Sequence, residues 1–123
     1  MNRIVTDAAP AAIGPYSQAY EAKGLVFTSG QIGMNPANGA LKDDIVSQAR
    51  QACENVRTVL EAAGSSTDHV IKTTCYLQDM ADFAAFNAVY EGYFPGKPAR
   101  SCVAVSALPR GALCEIEAIA VKH

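Results

Sequence analysis

Residues 98–118, PARSCVAVSALPRGALCEIEA, set charged side chains into a segment otherwise made of small and apolar ones. Arg100 stands where a strand begins, and Glu115 and Glu117 stand where the next strand is expected to be most buried. A guanidinium is planar and takes a carboxylate through two parallel hydrogen bonds, a geometry lysine does not reproduce. The small neighbours Ala99, Ser101 and Cys102 leave room for a ligand beside it. Glutamates two positions apart on a strand share a face, with backbones roughly 6.5–7 Å apart, and raise each other's proton affinity. These residues offer a carboxylate-binding site with an acid or base nearby. The competing reading is a structural ion pair from Arg100 to Glu115 or Glu117.

Composition narrows the classes. A chain of 123 residues points to one domain over 1–123, long enough for a continuous core. Hydrophobic residues make up 50% and charged ones 18%, below the roughly 25% charge of an average soluble chain. Part of the surface is therefore expected to be apolar and covered by another subunit. The net charge of −2 leaves no electrostatic footprint for nucleic acid. No apolar run approaches the roughly 18 residues needed to span a bilayer, and MNRIVTDAAPAAIGPYSQ lacks the apolar core of a signal peptide. Cys53, Cys75, Cys102 and Cys114 are widely spaced, as are His69 and His123. No metal and no disulfide framework is expected, and a cytoplasmic protein with reduced thiols is.

The elements that must position Arg100 and the glutamates come next. SQAYEAKGLVFTSG reads as a hairpin turning at Ala22-Lys23-Gly24. In residues 43–64, Ile45, Ala49, Ala52, Val56, Val59 and Ala63 share one helical face, with Asp43 and Asp44 at the start and Gly64 at the stop. HVIKTTCYLQD alternates as a strand, Ile71, Thr73, Cys75 and Leu77 facing one way. Asp79 opens a second helix with an aromatic stripe, Phe83, Phe86, Tyr90 and Tyr93, that faces the core and ends before Pro95. Ser101–Ala107 and Leu113–Val121 are then expected as an antiparallel pair turning at Pro109-Arg110-Gly111. The last strand presents Glu115 and Glu117 on one face and Cys114, Ile116, Ala118 and Ala120 on the other. The order gives an α+β sandwich, one sheet with two helices on one face.

The motifs GPYSQA, FTSGQIG, QARQACENVRTVLEAAG, KTTCYLQD, FNAVYEGYFPGKPARS and CEIEAIAV, in that order, resemble the Rid family of reactive-intermediate deaminases (RidA/YjgF type) over essentially the whole chain. The resemblance implies a chorismate-mutase-like fold with a mixed sheet, assembled as a homotrimer around a central barrel with sites between subunits. It implies hydrolysis of 2-imino acids or their enamine tautomers, such as 2-iminobutanoate and 2-iminopropanoate, to 2-oxo acids and ammonia, with no cofactor.

Carried over residue by residue, the resemblance makes Arg100 the carboxylate ligand and Glu115, not Glu117, the group that handles the attacking water. It places Tyr16, Ser29, Gly30, Asn87 and Cys102 at the substrate, Cys102 through its backbone. Glu117 is left a structural role. One departure is Cys114, where the family's pattern prefers an aliphatic residue. From the residues alone, Gly30 can equally serve to supply a backbone conformation closed to other residues. Cys102 has no His or helix terminus beside it in sequence to activate a thiolate, so it is not expected to be a nucleophile. Two other readings stand beside the enzyme: a non-catalytic binder of small carboxylates, and a ribonuclease or translation inhibitor.

Overall fold

A computed structural model describes residues 1–123. Its elements grow from local signals. Lys23 and Gly24 are both left-handed (φ 53° and 78°), as a tight two-residue hairpin requires, and join strand β2 (Ala19–Ala22) to β3 (Leu25–Thr28). Strand β1 (Asn2–Ile4) adds to β2, and a short β4 (Gln31–Ile32) follows β3. Helix α1 (Ile45–Ala62) starts where the Asp44 carboxylate accepts the Ser47 amide at 2.7 Å. It stops at Gly64 (φ 80°), where the Gly64 and Ser65 amides bond back to the Glu61 and Leu60 carbonyls. Strand β5 (Val70–Leu77), helix α2 (Phe83–Tyr93), β6 (Ala99–Ala104) and β7 (Cys114–Val121) complete the order.

The strands form one mixed sheet in the order β1-β2-β3-β7-β5-β6, with β4 also paired to β7. The two helices lie on one face, as the periodicity requires. Val26, Thr73, Cys75, Leu77, Cys114 and Ile116 from the sheet meet Ala49, Cys53, Val56, Leu60, Phe86 and Phe94, all of them buried. The opposite face stays open and exposes apolar side chains, Tyr20, Phe27, Val103 and Val121 each by 40–46%.

Two sequence-based expectations fail. The last two strands are not a hairpin. Strand β6 pairs parallel with β5, with α2 as the crossover a parallel pair needs, and β7 lies antiparallel on the other side of β5. Pro109-Arg110-Gly111 does turn, but on the path that carries the chain around the end of β5, tied by Val105 N–H to Leu77 C=O (2.9 Å) and Gln78 N–H to Leu113 C=O (3.0 Å). The strand also begins at Ala99, so Arg100 lies inside it.

The second failure is Ile71, expected beside Thr73, Cys75 and Leu77 but in fact exposed. A bulge between Val70 and Lys72 sets two steps of β5 against one of β7, from Ala120 to Ile119. Val70 therefore takes the buried place. A strict period of two cannot register one extra residue.

Strand β4 sits hard against α1. A Cβ on Gly33 would lie 2.6 Å from the Gln48 carbonyl oxygen, with no flexible side chain to yield. Gly33→Ala is therefore expected to lower unfolding free energy by about 1–3 kcal/mol in urea titration, as overpacking does. A variant as stable as wild type would mean that this approach is looser than the structure has it.

Candidate active site

Register decides where the charged residues point. Arg100 is paired with Thr73, and Thr73 with Ala118, and both partners are buried beneath the helices. Arg100 thus projects from the helix side at the sheet edge. Glu115 and Glu117 alternate with buried Ile116 and Ala118 and project from the opposite face. Within one chain the competing reading, an Arg100–glutamate ion pair, therefore does not form. The ion pairs are Arg57–Glu54 and Lys122–Glu21. An arginine set near the same glutamate's substrate atom, as the sequence suggested, is likewise not a single-chain arrangement.

The sequence-derived residues instead separate into two clefts. Glu115 shares one of about 450 Å³ with Tyr16, Ser29 and Gly30, walled by Ile13 and Met34 among others. The Ser29 hydroxyl donates to the Ser17 carbonyl at 2.5 Å, which holds the β3–β4 loop to the segment behind Tyr16. Gly30 is not left-handed. Its lack of a side chain serves space: a Cβ there would lie 2.6 Å from the Glu115 carboxyl carbon. The carboxyl group thus rests on bare backbone.

The second cleft, of about 510 Å³, holds Arg100 and Asn87 with Tyr90, Glu91 and Lys97. Helix α2 builds it. Arg100 Nη1 donates to Asn87 Oδ1 at 2.7 Å, and the guanidinium carbon lies 4.8 Å from the Tyr90 ring centre and 5.6 Å from that of Phe83. Phe83, Asn87 and Tyr90 occupy i, i+4 and i+7, one helical face. Tyr90 is fixed in turn by a 2.7 Å hydrogen bond to the Thr73 hydroxyl. The guanidinium is stacked and bonded through one nitrogen, with no carboxylate paired to it.

Electrostatics separates the two glutamates. Burial first, and Glu117 second, raise the Glu115 carboxyl above its ordinary value of 4.5. Glu117 instead accepts a 2.7 Å hydrogen bond from the Tyr76 hydroxyl, whose pKa that bond, with burial, pushes up to about 12. Glu117 is therefore committed to a neutral tyrosine donor, and Glu115 is left facing a cleft. Cys102 lines neither cleft. It pairs with Cys75 in register, and burial raises its thiol pKa, against a nucleophilic role. No group of three or more His, Cys, Asp or Glu residues is placed to hold a metal ion.

Sequence reasoning missed three contributors. Phe83 and Tyr90 were read as core, yet they also carry Arg100; their helical spacing around Asn87 was the available signal. Gln18, buried, accepts from the Thr6 amide at 2.8 Å and donates to the Pro10 carbonyl at 2.8 Å. It fixes the N-terminal arm as a wall of the Glu115 cleft, and its place in the GPYSQA motif was the available signal.

Fold and clefts together define a small α+β protein with a guanidinium and a carboxyl group set in two clefts on opposite faces of one sheet. The family model described as Endoribonuclease L-PSP matches residues 6–122. The chain is 49% identical to the 2-iminobutanoate/2-iminopropanoate deaminase of Salmonella typhimurium, over 98% of this chain and 97% of that protein. It is also 49% identical to the mouse protein of the same name, over 97% and 90%. Among solved structures, Escherichia coli TdcF with bound serine superposes with a TM-score of 0.96 at 44% identity, covering all of both chains. The chain belongs to the endoribonuclease L-PSP family, the Rid (YjgF/RidA) group that its motifs resemble.

Carboxyl-detected NMR should find Glu115 titrating above 4.5. Glu117→Gln should bring it part of the way down, because burial, the larger cause, remains. A Glu115 that titrates at or below 4.5 in wild type would remove the electrostatic distinction between the two glutamates.

Proposed function

We propose that the protein hydrolyses 2-imino acids of the 2-iminobutanoate and 2-iminopropanoate class to 2-oxo acids and ammonia. One observation carries the site assignment: an unpaired, pre-oriented guanidinium and an unpaired carboxyl of raised proton affinity lie in two clefts on opposite faces of one sheet. A reaction that needs both is completed when the Arg100 cleft of one subunit meets the Glu115 cleft of another. On the open face Tyr20 and Phe27 are exposed cross-strand neighbours, and such exposed apolar surface supports an assembly that covers it. The homotrimer implied by the motif resemblance belongs to this proposal. So does a cytoplasmic setting, for which the structure offers only that no helix is long and apolar enough to cross a membrane.

In this reading Arg100 binds the substrate carboxylate through guanidinium hydrogens not used by Asn87. The backbone around Gly30 and Cys102 holds the imino nitrogen, and Tyr16 and Ser29 close the site. Glu115 takes a proton from water as the water oxygen adds to the C=N carbon. The same proton passes to the imino nitrogen to give the tetrahedral carbinolamine. Its amino nitrogen takes up a second proton from solvent water as the hydroxyl gives one up, so that the C–N bond breaks, the C=O bond forms and ammonia leaves. Raised proton affinity is the direction a general base needs, and the base works only when ionised. Activity is therefore lost as pH falls through the Glu115 value. Imines hydrolyse unaided, so orientation and one proton transfer are a sufficient contribution.

Threonine dehydratase supplies 2-iminobutanoate in situ, and semicarbazide traps what escapes hydrolysis. Less trapped imine with wild type, and a loss of roughly 30-fold or more in Arg100→Ala and Glu115→Gln, is expected. Co-refolding the two inactive variants at equal amounts should restore about a quarter of wild-type activity, because one site in four then pairs an intact Arg100 with an intact Glu115 from the neighbouring subunit. No restoration despite mixed oligomers would place both residues in one subunit's site. Equal trapping by wild type and variants would favour the non-catalytic carboxylate binder. The family's descriptive name favours one further reading, RNA cleavage. The net charge of −2 works against it, and ribonuclease activity lost in Arg100→Ala would support it.

A further inference from the structure

The Glu115 cleft contains a cation that the proposed reaction does not use. Arg110 lies on its rim, five residues before Glu115 in the chain. Its backbone is left-handed (φ 58°, ψ 21°), a conformation uncommon for a residue with a side chain, and Gly111 beside it is left-handed too (φ 70°). The turn is built rather than loose. Gly111 N–H bonds to the Leu108 carbonyl at 3.2 Å and Ala112 N–H to that of Pro109 at 3.1 Å. Ala112 is fully buried, and the Leu113 amide donates to the buried Gln48 side chain at 2.7 Å. Arg110 is thus held out at the cleft mouth by a fixed backbone.

Its charge is uncommitted. Arg110 forms no ion pair in the chain, and it is not among the groups that shift Glu115. The cleft they share is also more than a four-carbon imino acid fills. About 450 Å³ lies in the range of clefts that hold considerably larger ligands. Pro10, Ile13, Ile32 and Met34 give that space walls suited to methylene groups rather than to charge. A cation on the rim, apolar walls and a half-buried carboxyl describe a cleft that offers one further anionic group of the ligand a partner, besides the carboxylate assigned to Arg100.

We propose that Arg110 is a specificity-determining residue that binds a second carboxylate, so that the cleft also accepts 2-imino dicarboxylic acids with a short methylene chain between their acidic groups. This rests on the deaminase reading of the Glu115 cleft. The main-chain carboxylate goes to Arg100 of the neighbouring subunit, the imine carbon sits at Glu115, and the side-chain carboxylate reaches Arg110. Chemistry at the C=N carbon is unchanged: water adds, ammonia leaves, and the second carboxylate takes no part.

The test compares binding of two 2-oxo acids, 2-oxobutanoate and 2-oxoglutarate, by calorimetry on the intact protein, and hydrolysis of the corresponding imines by semicarbazide trapping. Wild type should prefer the dicarboxylate. Arg110→Gln should reduce that preference by about tenfold, the size of one charge-assisted hydrogen bond at an exposed rim. Arg110→Lys should keep most of it, and added salt should erode it in wild type but not in Arg110→Gln. Equal weakening of both ligands in Arg110→Gln, or no change in their ratio, overturns the proposal. If no imine is hydrolysed while the binding preference is present and Arg110-dependent, the deaminase reading fails and the second-carboxylate site stands.

Discussion

Strand β7 is hydrogen-bonded on both sides, to β5 along one edge and to β3 and β4 along the other. It cannot rotate about its axis or slip by one residue without breaking two ladders, and a slip would exchange its faces. Cys114, Ile116, Ala118 and Ala120 are buried under the helices, so Glu115 and Glu117 must project from the other side. Arg100, on β6 two strands from β7 and in register with Thr73 of β5, must project with the buried set. The separation of acid and guanidinium is therefore enforced by the core. Apolar packing places these charged groups by denying them any other direction.

Each charged group is then prepared by different means. Arg100 is held by one helix face, stacked on Tyr90 and Phe83 and bonded to Asn87, which leaves part of its planar fork free. Glu115 is prepared by what is missing, a side chain at Gly30. Partial burial then raises its affinity for a proton. Glu117, one alternation further on, is occupied by Tyr76. Two glutamates with the same chemistry are thus given different tasks by one hydrogen bond and one glycine.

Much of the fold was legible because it rests on local periodicity. The α1 face, its Asp44 start and Gly64 stop, the Lys23-Gly24 hairpin and the alternation of β7 are properties of short windows, and the structure keeps them. The strand order was not legible from such windows. Pro109-Arg110-Gly111 turns in either topology, and only the pairing of β6 with β5 shows that the chain passes around a strand instead of doubling back. The bulge at Ile71 has the same character, because one extra residue is visible only against its partner strand.

The sequence by itself determined which residue types could do chemistry, Arg100 and Glu115 above all, and the ordered motifs determined the family. Both are written in side-chain identity and spacing along one chain. Tertiary structure decided that these two residues leave the sheet in opposite directions, that Glu115 and not Glu117 faces a cleft, that Gly30 is there for space and not for backbone conformation, and that Arg110 guards the same cleft. These depend on strand register and on contacts between distant segments. A single linear sequence carries no direct record of either, because a side chain's direction is set by which partner strand buries its neighbours.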